Sequence, residues 1–333
     1  MPASIALTMA CAAAAVAQPL PASRLPPVGD EQPVWVGADA PPTVRLAQST
    51  EAISRPAAIE PPPLAPPPSP AERGLFQGFE LSADWLPRLD DDSLGHSKLS
   101  ASASFGVPPF VLGVPLLVTP RAALHQLDGP NTIDVPSRVN DLDLSIGSFK
   151  KLGERWSARG SVNVGVYGDE DSLGASDALR VSGFGVAIYE ASPEWQWVIG
   201  AAYLNRDDLA VVPAFGVIHD RGDVRFELTM PRPRILWRLP QDAAGTERAI
   251  YVAGDLGGGA WAVRRTDGTT DTLNLGSWGV GLGYETKAGP GAWFSGKRRY
   301  ELGYVFGRTL EYAKSGEEIS LDDSLVMRVG WNY

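Results

Sequence analysis

Four residues near the middle of the chain have the types that hydrolytic chemistry needs: His219-Asp220 and Asp207-Asp208. About ten residues of predicted strand separate the two pairs, which is roughly 30 Å at the usual rise of a β-strand. A general base has to lie about 3 Å from the group that it deprotonates. The spacing therefore argues against a hydrolase, and no catalytic residue is predicted. We interpret Asp207-Asp208 as part of a turn beside Arg206.

Two further motifs resemble binding sites only in part. Asp90-Asp91-Asp92 with His96 clusters carboxylates, which suit calcium, but the segment lacks the alternating ligands and the fixed glycine of a calcium loop. Gly257-Gly258-Gly259 lacks the strand-to-helix context of a phosphate-binding loop. We interpret the first as an acidic outer loop and the second as glycines that let a strand bend or a bulky neighbour pack. No metal or cofactor is predicted.

Composition excludes two classes of protein. The 333 residues carry a formal net charge of −10 and a sequence pI of about 4.9, whereas a nucleic-acid-binding domain is expected to be basic. No apolar run of about 18 residues follows the N-terminal segment, which argues against a bundle of membrane helices. Cys11 is the only cysteine, so no intrachain disulfide is expected.

The first 73 residues differ in composition from the rest of the chain. Residues 1–17 are predicted to be a signal peptide, since a short apolar stretch precedes the small-residue pattern Ala15-Val16-Ala17. The alternative is that Cys11 becomes a lipid-modified N-terminus. Residues 18–73 are rich in proline, which removes backbone donors and predicts a disordered periplasmic linker. We interpret the proline runs as a spacer, with docking of a periplasmic partner as the alternative.

Residues 74–333 alternate apolar and polar side chains with a period of two. In the segment 155–166, Val162 and Val164 fall on one face, and Ser161 and Asn163 on the other. Successive side chains of a strand point to opposite sides of a sheet, so the region is predicted to be all-β. The architecture that we predict is a transmembrane, antiparallel, up-and-down β-barrel of 12–14 strands, with a soluble barrel or sandwich as the alternative.

Three features favour the membrane barrel. The predicted strands often exceed ten residues, which suits a tilted membrane crossing. Tryptophans gather near strand ends, as an interfacial girdle requires; they are Trp156, Trp195, Trp197, Trp237 and Trp331. The chain ends in an alternating strand that resembles the assembly signal of bacterial outer-membrane barrels, with one face formed by Leu325, Met327, Val329, Trp331 and Tyr333. The predicted partners are therefore outer-membrane lipid and the barrel-assembly machinery.

Connection lengths alternate along the chain, as short periplasmic turns and longer outer loops should. Short connections are predicted near 107–109, 151–154, 191–193 and 220–222, and longer acidic ones at 90–96, 126–138, 168–174 and 311–320. About thirteen segments can be counted, and both ends in the periplasm require an even number. Met230-Pro231-Arg232-Pro233 makes the number 14 if it is a turn.

The inner face of the predicted barrel is its most informative surface. The residues expected to line the lumen are Asp141, Asp143, Arg155, Arg159, Arg180, Arg225, Glu227, Asp255, Glu301 and Arg328. Charges of both signs either line a narrow aqueous path or pair across the barrel and close it. The first function predicted is therefore a narrow porin-like channel for small polar solutes. The alternative is a non-conducting structural or envelope-interaction barrel, and an outer-membrane hydrolase is third.

The second half of the chain resembles a family of unknown function described as outer-membrane β-barrels. The matching motifs are Tyr203-Leu204-Asn205-Arg206-Asp207-Asp208, Val212-Pro213-Ala214-Phe215-Gly216-Val217-Ile218, Met230-Pro231-Arg232-Pro233-Arg234, Gly257-Gly258-Gly259-Ala260-Trp261, Gly303-Tyr304-Val305-Phe306-Gly307-Arg308 and Asp322-Asp323-Ser324. The resemblance covers roughly residues 74–333 and is strongest towards the C-terminus. Met230 departs from it, since an aromatic residue is expected before the first proline. The resemblance implies a fold and an outer-membrane location, and no activity.

Overall fold

The structure is a computed structural model that describes residues 75–90, 93–108, 114–130, 132–242, 245–288 and 296–333. The predicted signal peptide and proline-rich linker lie outside these residues, as do Asp91 and Asp92. No helix in the described part of the chain is long and apolar enough to cross a membrane.

Strands make up nearly all of the regular structure, as the alternating pattern predicted. They are β1 (Phe76–Leu86), β2 (Gly95–Val107), β3 (Leu116–Asp128), β4 (Arg138–Lys151), β5 (Trp156–Gly168), β6 (Leu179–Ser192), β7 (Trp195–Tyr203), β8 (Val211–Arg221), β9 (Val224–Thr229), β10 (Arg234–Leu239), β11 (Glu247–Arg264), β12 (Thr270–Lys287), β13 (Lys297–Tyr312), β14 (Glu317–Leu321) and β15 (Ser324–Asn332). A short 3₁₀ turn, Ser176–Ala178, precedes β6.

The strands close into a barrel. Each strand from β1 to β13 pairs antiparallel with the next, β13 also pairs with β15, and β15 pairs with β1. The short β14 pairs with the far part of β13 and precedes β15 along the same wall. The wall therefore has 14 strands, within the predicted range. The turn at 230–233, between β9 and β10, accounts for the even number.

Alternation sorts the side chains of the wall into an apolar outer face and a polar inner face. Val162 and Val164 of β5 are exposed on the outside. Asn163, between them, points inward and donates a hydrogen bond to Ser182 Oγ on the neighbouring strand at 3.3 Å. The outer face exposes many large apolar side chains from most of the wall strands; examples are Leu99, Leu142, Ile146, Ile199, Phe215, Leu282, Leu302 and Met327. The resulting barrel has a continuous apolar exterior and a charged interior.

The two ends of the barrel differ. We call the end that holds Phe76 and Asn332 the terminal end, and the opposite end, with the connections at 87–94, 129–137, 169–178 and 313–316, the loop end. Strand lengths also vary around the wall. Strands β9 and β10 have 6 residues each, while β11 and β12 have 18 each. One sector of the wall is therefore short, and the sector beside it is long enough to extend past the loop end.

Candidate functional site

The excess length of β11 and β12 folds across the mouth at the loop end. We call residues 259–275, the outer part of this hairpin, the roof hairpin. Ala262 pairs in parallel with Gly168, the last residue of β5, and its carbonyl accepts a hydrogen bond from Asp169 N at 3.0 Å. Since β5 and β11 lie six strands apart in a ring of 14, they stand on nearly opposite walls. The roof hairpin therefore spans the mouth from one wall to the other.

Glycines permit the bend that starts the roof hairpin. Gly258 has φ +113°, a backbone conformation that side-chain-bearing residues rarely adopt. A Cβ atom at Gly258 would also overlap the carbonyl oxygen of Leu275 on the paired strand. At Gly259 a Cβ atom would overlap the ring of Trp261. The sequence interpretation of these glycines, a bend and the packing of a bulky neighbour, is confirmed.

A small apolar core fills the space beneath the roof hairpin. It joins the hairpin to the tops of β2, β3, β4, β13 and β14, and consists of Leu94, Leu127, Val139, Trp261, Val263, Leu273, Leu275, Leu310, Tyr312 and Leu321. Of these, Val139, Val263, Leu273 and Leu310 are fully buried. An apolar, close-packed contact of this kind leaves no water path through the part of the mouth that it fills. The mouth is therefore closed here by side-chain packing as well as by backbone.

A chain of polar contacts holds Trp261 against the opposite wall. Its indole Nε1 donates to Asp141 Oδ1 at 2.7 Å, and Asp141 Oδ2 lies 3.1 Å from His125 Nε2. His125 Nδ1 in turn lies 2.9 Å from His96 Nε2. Trp261 is only 2 % exposed. Buried polar groups need partners of this kind, so this network fixes the position of the roof hairpin.

Arg265, at the tip of the roof hairpin, forms a second attachment. Its guanidinium donates to Asp134 Oδ2 at 2.7 Å and to Glu317 Oε2 at 2.9 Å, and lies 3.7 Å above the ring centre of Tyr312. Partial burial opposes the charged form of Asp134, but hydrogen bonds from Arg265 and Thr266 outweigh it, and the pKa of the Asp134 carboxyl is lowered. The tip is therefore held by a carboxylate that is ionised at neutral pH.

This attachment should weaken in acid. Because the pKa of Asp134 is lower in the folded state, its contribution to roof closure is present at neutral pH and is lost as the pH falls below about 4. We expect hydrogen-exchange protection of roof amides, corrected for intrinsic rates, to stay level from pH 7 to about 5 and to drop below about 4. Asp134→Asn should lower protection at neutral pH and remove that acid drop. An acid drop that persists in Asp134→Asn would assign it to another group.

The lumen below the roof hairpin contains a chamber of about 510 Å³. Its far side, formed by β2 to β4, carries Lys98, Arg121, His125 and Asp141. Arg121 donates to Asp143 at 2.8 Å, which pairs that guanidinium within the wall. The near side, from β7, β8 and β11 and the connections beside them, is largely apolar; it includes Leu204, Val212, Ala214, Pro231 and Leu256. The chamber is thus polar on one side and apolar on the other.

Ion pairs occupy the middle of the lumen. Arg328 of β15 bonds to Glu301 on the neighbouring strand and reaches Asp255 of β11 at 2.9 Å. Asp255 also binds Arg232 at 2.9 Å, and the Tyr251 hydroxyl donates to Glu301 at 2.7 Å. Because Arg328 and Asp255 belong to strands that are not adjacent, this network crosses part of the interior rather than following the wall.

The structure brings most of the predicted lumen residues into contact with partners. Besides the Asp141, Asp143, Asp255, Glu301 and Arg328 contacts above, Arg225 pairs with Glu227 at 2.6 Å and with Asp220 at 3.0 Å. Arg180 donates to the Asn205 carbonyl at 2.6 Å and lies 3.7 Å from Asp207. Most of these pairs form within one strand or between neighbouring strands, and Arg328–Asp255 joins two wall strands that are not adjacent.

Arg155 and Arg159 are placed differently from the other eight. Arg155 lies in the turn before β5, at the terminal end, and Arg159 lies near the start of β5. Both are exposed, and neither has an ion-pair partner among the described residues. Arg155 therefore belongs to the rim of the terminal end, whereas Arg159 shares the inward face of β5 with Asn163, near that end.

The five residues of the predicted assembly signal share one face of β15 and the chain end after it. Leu325, Met327, Val329 and Tyr333 are exposed on the outer face. Trp331 packs edge-on against Phe79 of β1, with ring centres 6.1 Å apart. Tyr333 pairs with Phe79 through two backbone hydrogen bonds of 2.8 and 3.1 Å. Their role in assembly stays a prediction.

The residues of the hydrolase-like combination and of the acidic segment with His96, which sequence analysis rejected as sites, lie apart or contact other groups in the structure. Asp207 and Asp208 precede β8 at the loop end, whereas His219 lies near its other end and stacks on Trp195. Asp208 pairs with Arg206 as expected, but Arg206 also donates to the Leu275 carbonyl at 2.8 Å and so binds the roof hairpin. His96 contacts His125, and no group of three or more potential metal ligands occurs among the described residues.

Sequence analysis missed Trp261, His125, Lys98 and the rest of the closed mouth. One signal was available. On the wall strands, the alternate positions that point inward are mostly polar. Beyond the three glycines of β11, these inward positions hold the apolar residues Trp261 and Val263, and the paired positions of β12 hold Leu273 and Leu275. This reversal of polarity marks residues that pack inward on one another.

More than half of the chain matches a known protein family. Residues 123–316, more than half of the chain, match a family model described as a domain of unknown function, DUF6268. Among curated proteins, none matches the chain. The match covers the strands from the second half of β3 to the end of β13, and with them the roof hairpin and most of the chamber. It confirms the resemblance to a family of unknown function, while the outer-membrane location stays a prediction. The chain belongs to the DUF6268 family.

Proposed function

We propose that this protein is a bacterial outer-membrane β-barrel whose lumen is closed at the loop end in its resting state. The pairing of Ala262 with Gly168 across the mouth carries the proposal of closure. The apolar outer face supports the membrane location, because large apolar patches on a protein surface mark contact with lipid or another apolar partner.

Aromatic side chains at both rims further support the membrane location. Trp156, Trp195 and Trp197 lie exposed at the terminal end, and Trp85 and Tyr304 lie exposed towards the loop end. Two such girdles border the apolar band of outer-membrane barrels. The partners that follow from this location are lipid around the wall and the assembly machinery at β15.

Closure favours the non-conducting barrel over the porin-like channel among the functions predicted from the lumen charges. Passage of small polar solutes would require the roof hairpin to move, because the apolar core and Trp261 occupy the mouth. Purified protein refolded into a planar bilayer is therefore expected to show no steady ionic conductance. Steady single-channel steps from the unmodified protein would overturn resting closure. We propose no enzymatic role.

The membrane location predicts a large cost for a charge on the outer face. Leu302, in the middle of β13, is 58 % exposed. Leu302→Arg should lower the free energy of unfolding by about 2–4 kcal/mol if this side faces the centre of a bilayer. On a water-exposed surface the same change should stay within about 0.5 kcal/mol. Urea titration of the refolded protein in phospholipid vesicles measures the difference.

The control for Leu302→Arg is Glu318→Arg, at an exposed position in β14 near the loop end. It introduces the same side chain and is expected to leave the free energy of unfolding nearly unchanged. A cost for Leu302→Arg as small as that of Glu318→Arg would argue against lipid contact at β13.

A further inference from the structure

The short β9–β10 hairpin leaves a side opening in the barrel wall. Pairing of β8 with β9 ends at Gly216 and Thr229, and pairing of β10 with β11 ends at Arg234 and Ala253. Beyond these positions, no described strand lies between 211–215 of β8 and 254–258 of β11. At the hairpin tip, β8 and β11 are three strand spacings apart, or roughly 14 Å. We call this gap the side window.

The side window has a defined frame. At its lower edge, the turn at 230–233 is fixed to both flanking strands, since Met230 N donates to the Phe215 carbonyl at 2.9 Å and Gly254 N donates to the Pro233 carbonyl at 2.8 Å. At its upper edge, Arg206 reaches from the β7–β8 connection to the carbonyl of Gly257 at 3.3 Å. The window is therefore bounded by hydrogen-bonded backbone and one buried arginine.

The side window opens into the chamber beneath the roof hairpin. Residues from all four edges line that chamber: Val212 and Ala214, Pro231, Leu256 and Arg206. A strand needs about 9–11 residues to cross the hydrocarbon layer, and β9 and β10 have 6 each. If the barrel is placed in a membrane as proposed above, the window faces the apolar layer. Unpaired strand edges are costly there unless something covers or fills the gap.

The chamber is built for a molecule with an apolar part and a negative end. Its window side is largely apolar, with Arg206 and Arg232 at the window edges, and Lys98 lies on the opposite wall. Arg121, Arg180 and Arg232, which also line it, each have an aspartate within 4 Å. Within the described chain, the Lys98 ammonium has no such carboxylate, and the Nε of Arg180, a side chain 11 % exposed, has no hydrogen-bond partner. These two groups retain donor capacity for a ligand.

We propose that the side window admits a single-chain amphiphile with a carboxylate head, drawn from the surrounding bilayer, into the chamber. The head binds Lys98 on the far wall, and the hydrocarbon chain lies along Val212, Ala214 and Leu256 towards the window. Entry is lateral because the roof hairpin closes the axial route at the loop end and the Asp255–Arg328–Glu301 network crosses part of the lumen towards the terminal end. The proposal rests on the proposed membrane location and adds a ligand class to it.

Binding of dodecanoate to the refolded full chain in phosphatidylcholine nanodiscs tests the proposal. Radiolabelled dodecanoate should bind saturably above the partition into empty nanodiscs, while dodecanol and dodecyltrimethylammonium should compete poorly. Lys98→Gln should raise the dissociation constant roughly tenfold to 100-fold, as expected for loss of a charge-assisted hydrogen bond. Lys150→Gln, at an exposed position on β4 near the terminal end, is the matched control and should bind as the unmodified protein does.

A second variant tests the route of entry. Ala214→Trp places a large ring on the inward face of β8 at the window and should abolish binding or slow it strongly. Ala158→Trp on β5, away from the window, is its control. Absence of saturable binding, or equal affinities of the unmodified protein and Lys98→Gln, would overturn the proposal. If Ala214→Trp fails to fold, the comparison of Lys98→Gln with Lys150→Gln decides alone.

The outcomes separate this inference from the proposed function. Stability of Leu302→Arg and ionic conductance report on membrane location and on closure, and neither depends on a ligand. Failure of dodecanoate to bind a folded, closed barrel would refute the ligand class and leave the proposed function standing.

Discussion

Removal of the roof hairpin should turn a barrel without ionic conductance into a conducting one. The change replaces residues 260–274 by Asn-Gly, which joins the paired residues Gly259 and Leu275 through a two-residue turn. It deletes Trp261, Val263 and Leu273, and with them the backbone bridge to β5. We expect steady conductance steps in planar bilayers where the unmodified protein shows none.

The size of this effect follows from what remains after the deletion. The wall ladder from Glu247↔Lys287 to Gly259↔Leu275 stays paired, so the barrel itself keeps its 14 strands. Barrels of 16–18 strands hold open aqueous channels and barrels of 8 are filled by side chains. A 14-stranded wall without its roof hairpin is therefore expected to leave a narrow path, restricted by the Asp255–Arg328–Glu301 network.

The control for the deletion is Asp267→Ala, which changes only the exposed tip of the same hairpin and keeps the apolar core. It should remain silent. Both proteins must show the heat-dependent gel shift of a folded barrel before they are compared. A folded deletion variant without conductance would show that the ion-pair network below, rather than the roof hairpin, seals the lumen.

Loss of the Trp261 side chain should release the roof hairpin without deleting it. Trp261 is 2 % exposed and donates to Asp141 at 2.7 Å, and removal of a buried tryptophan side chain costs about 3–5 kcal/mol. Since the wall does not depend on this contact, most of the cost should fall on closure. An increase of roughly 100-fold or more in the population of the open roof follows, at tenfold for each 1.4 kcal/mol.

Trypsin measures this opening directly. Arg265 lies at the hairpin tip, and its side chain is only 15 % exposed because it is held by Asp134, Glu317 and Tyr312. Arg264 beside it is exposed, but its backbone belongs to the paired end of β11. Cleavage there should be slow in the unmodified protein and should accelerate with the open population in Trp261→Ala. Trp261→Phe keeps most of the volume but loses the hydrogen bond, so its cleavage rate should be intermediate.

Trp156→Ala is the matched control for that experiment. Trp156 is exposed on the outer face at the terminal end and packs against Tyr189, far from the roof hairpin. Its substitution should leave the tryptic rate at the tip unchanged. Equal rates in Trp261→Ala and the unmodified protein would contradict the role of Trp261 in closure.

Local patterns in the sequence were sufficient for the wall. Val162, Asn163 and Val164 alternate because a strand points successive side chains to opposite faces, and that rule acts between neighbours in the chain. The turn at 230–233 could be recognised for the same reason, since proline ends strand pairing where it stands. Fold class and strand number within the stated range followed from such local rules.

The sequence predicted which charged residues line the lumen, but it did not predict which of them pair. The sequence indicated which charges face inward, but not that Arg328 would meet Asp255 three strands away or that Arg155 would fall in a turn. Partner choice depends on shear and on the height of each residue along the wall, and neither is encoded in the alternation.

By itself the sequence determined an all-β chain with an apolar face and a charged face along each strand, because both properties depend on residues two positions apart. Only the tertiary structure decided that a hairpin spans the mouth and that the wall has a side window. Ala262 and Gly168 are far apart in the chain and meet only when the closed barrel places β11 opposite β5. A period of two describes each hairpin on its own, and it cannot show that one stops short while its neighbour bends across the barrel.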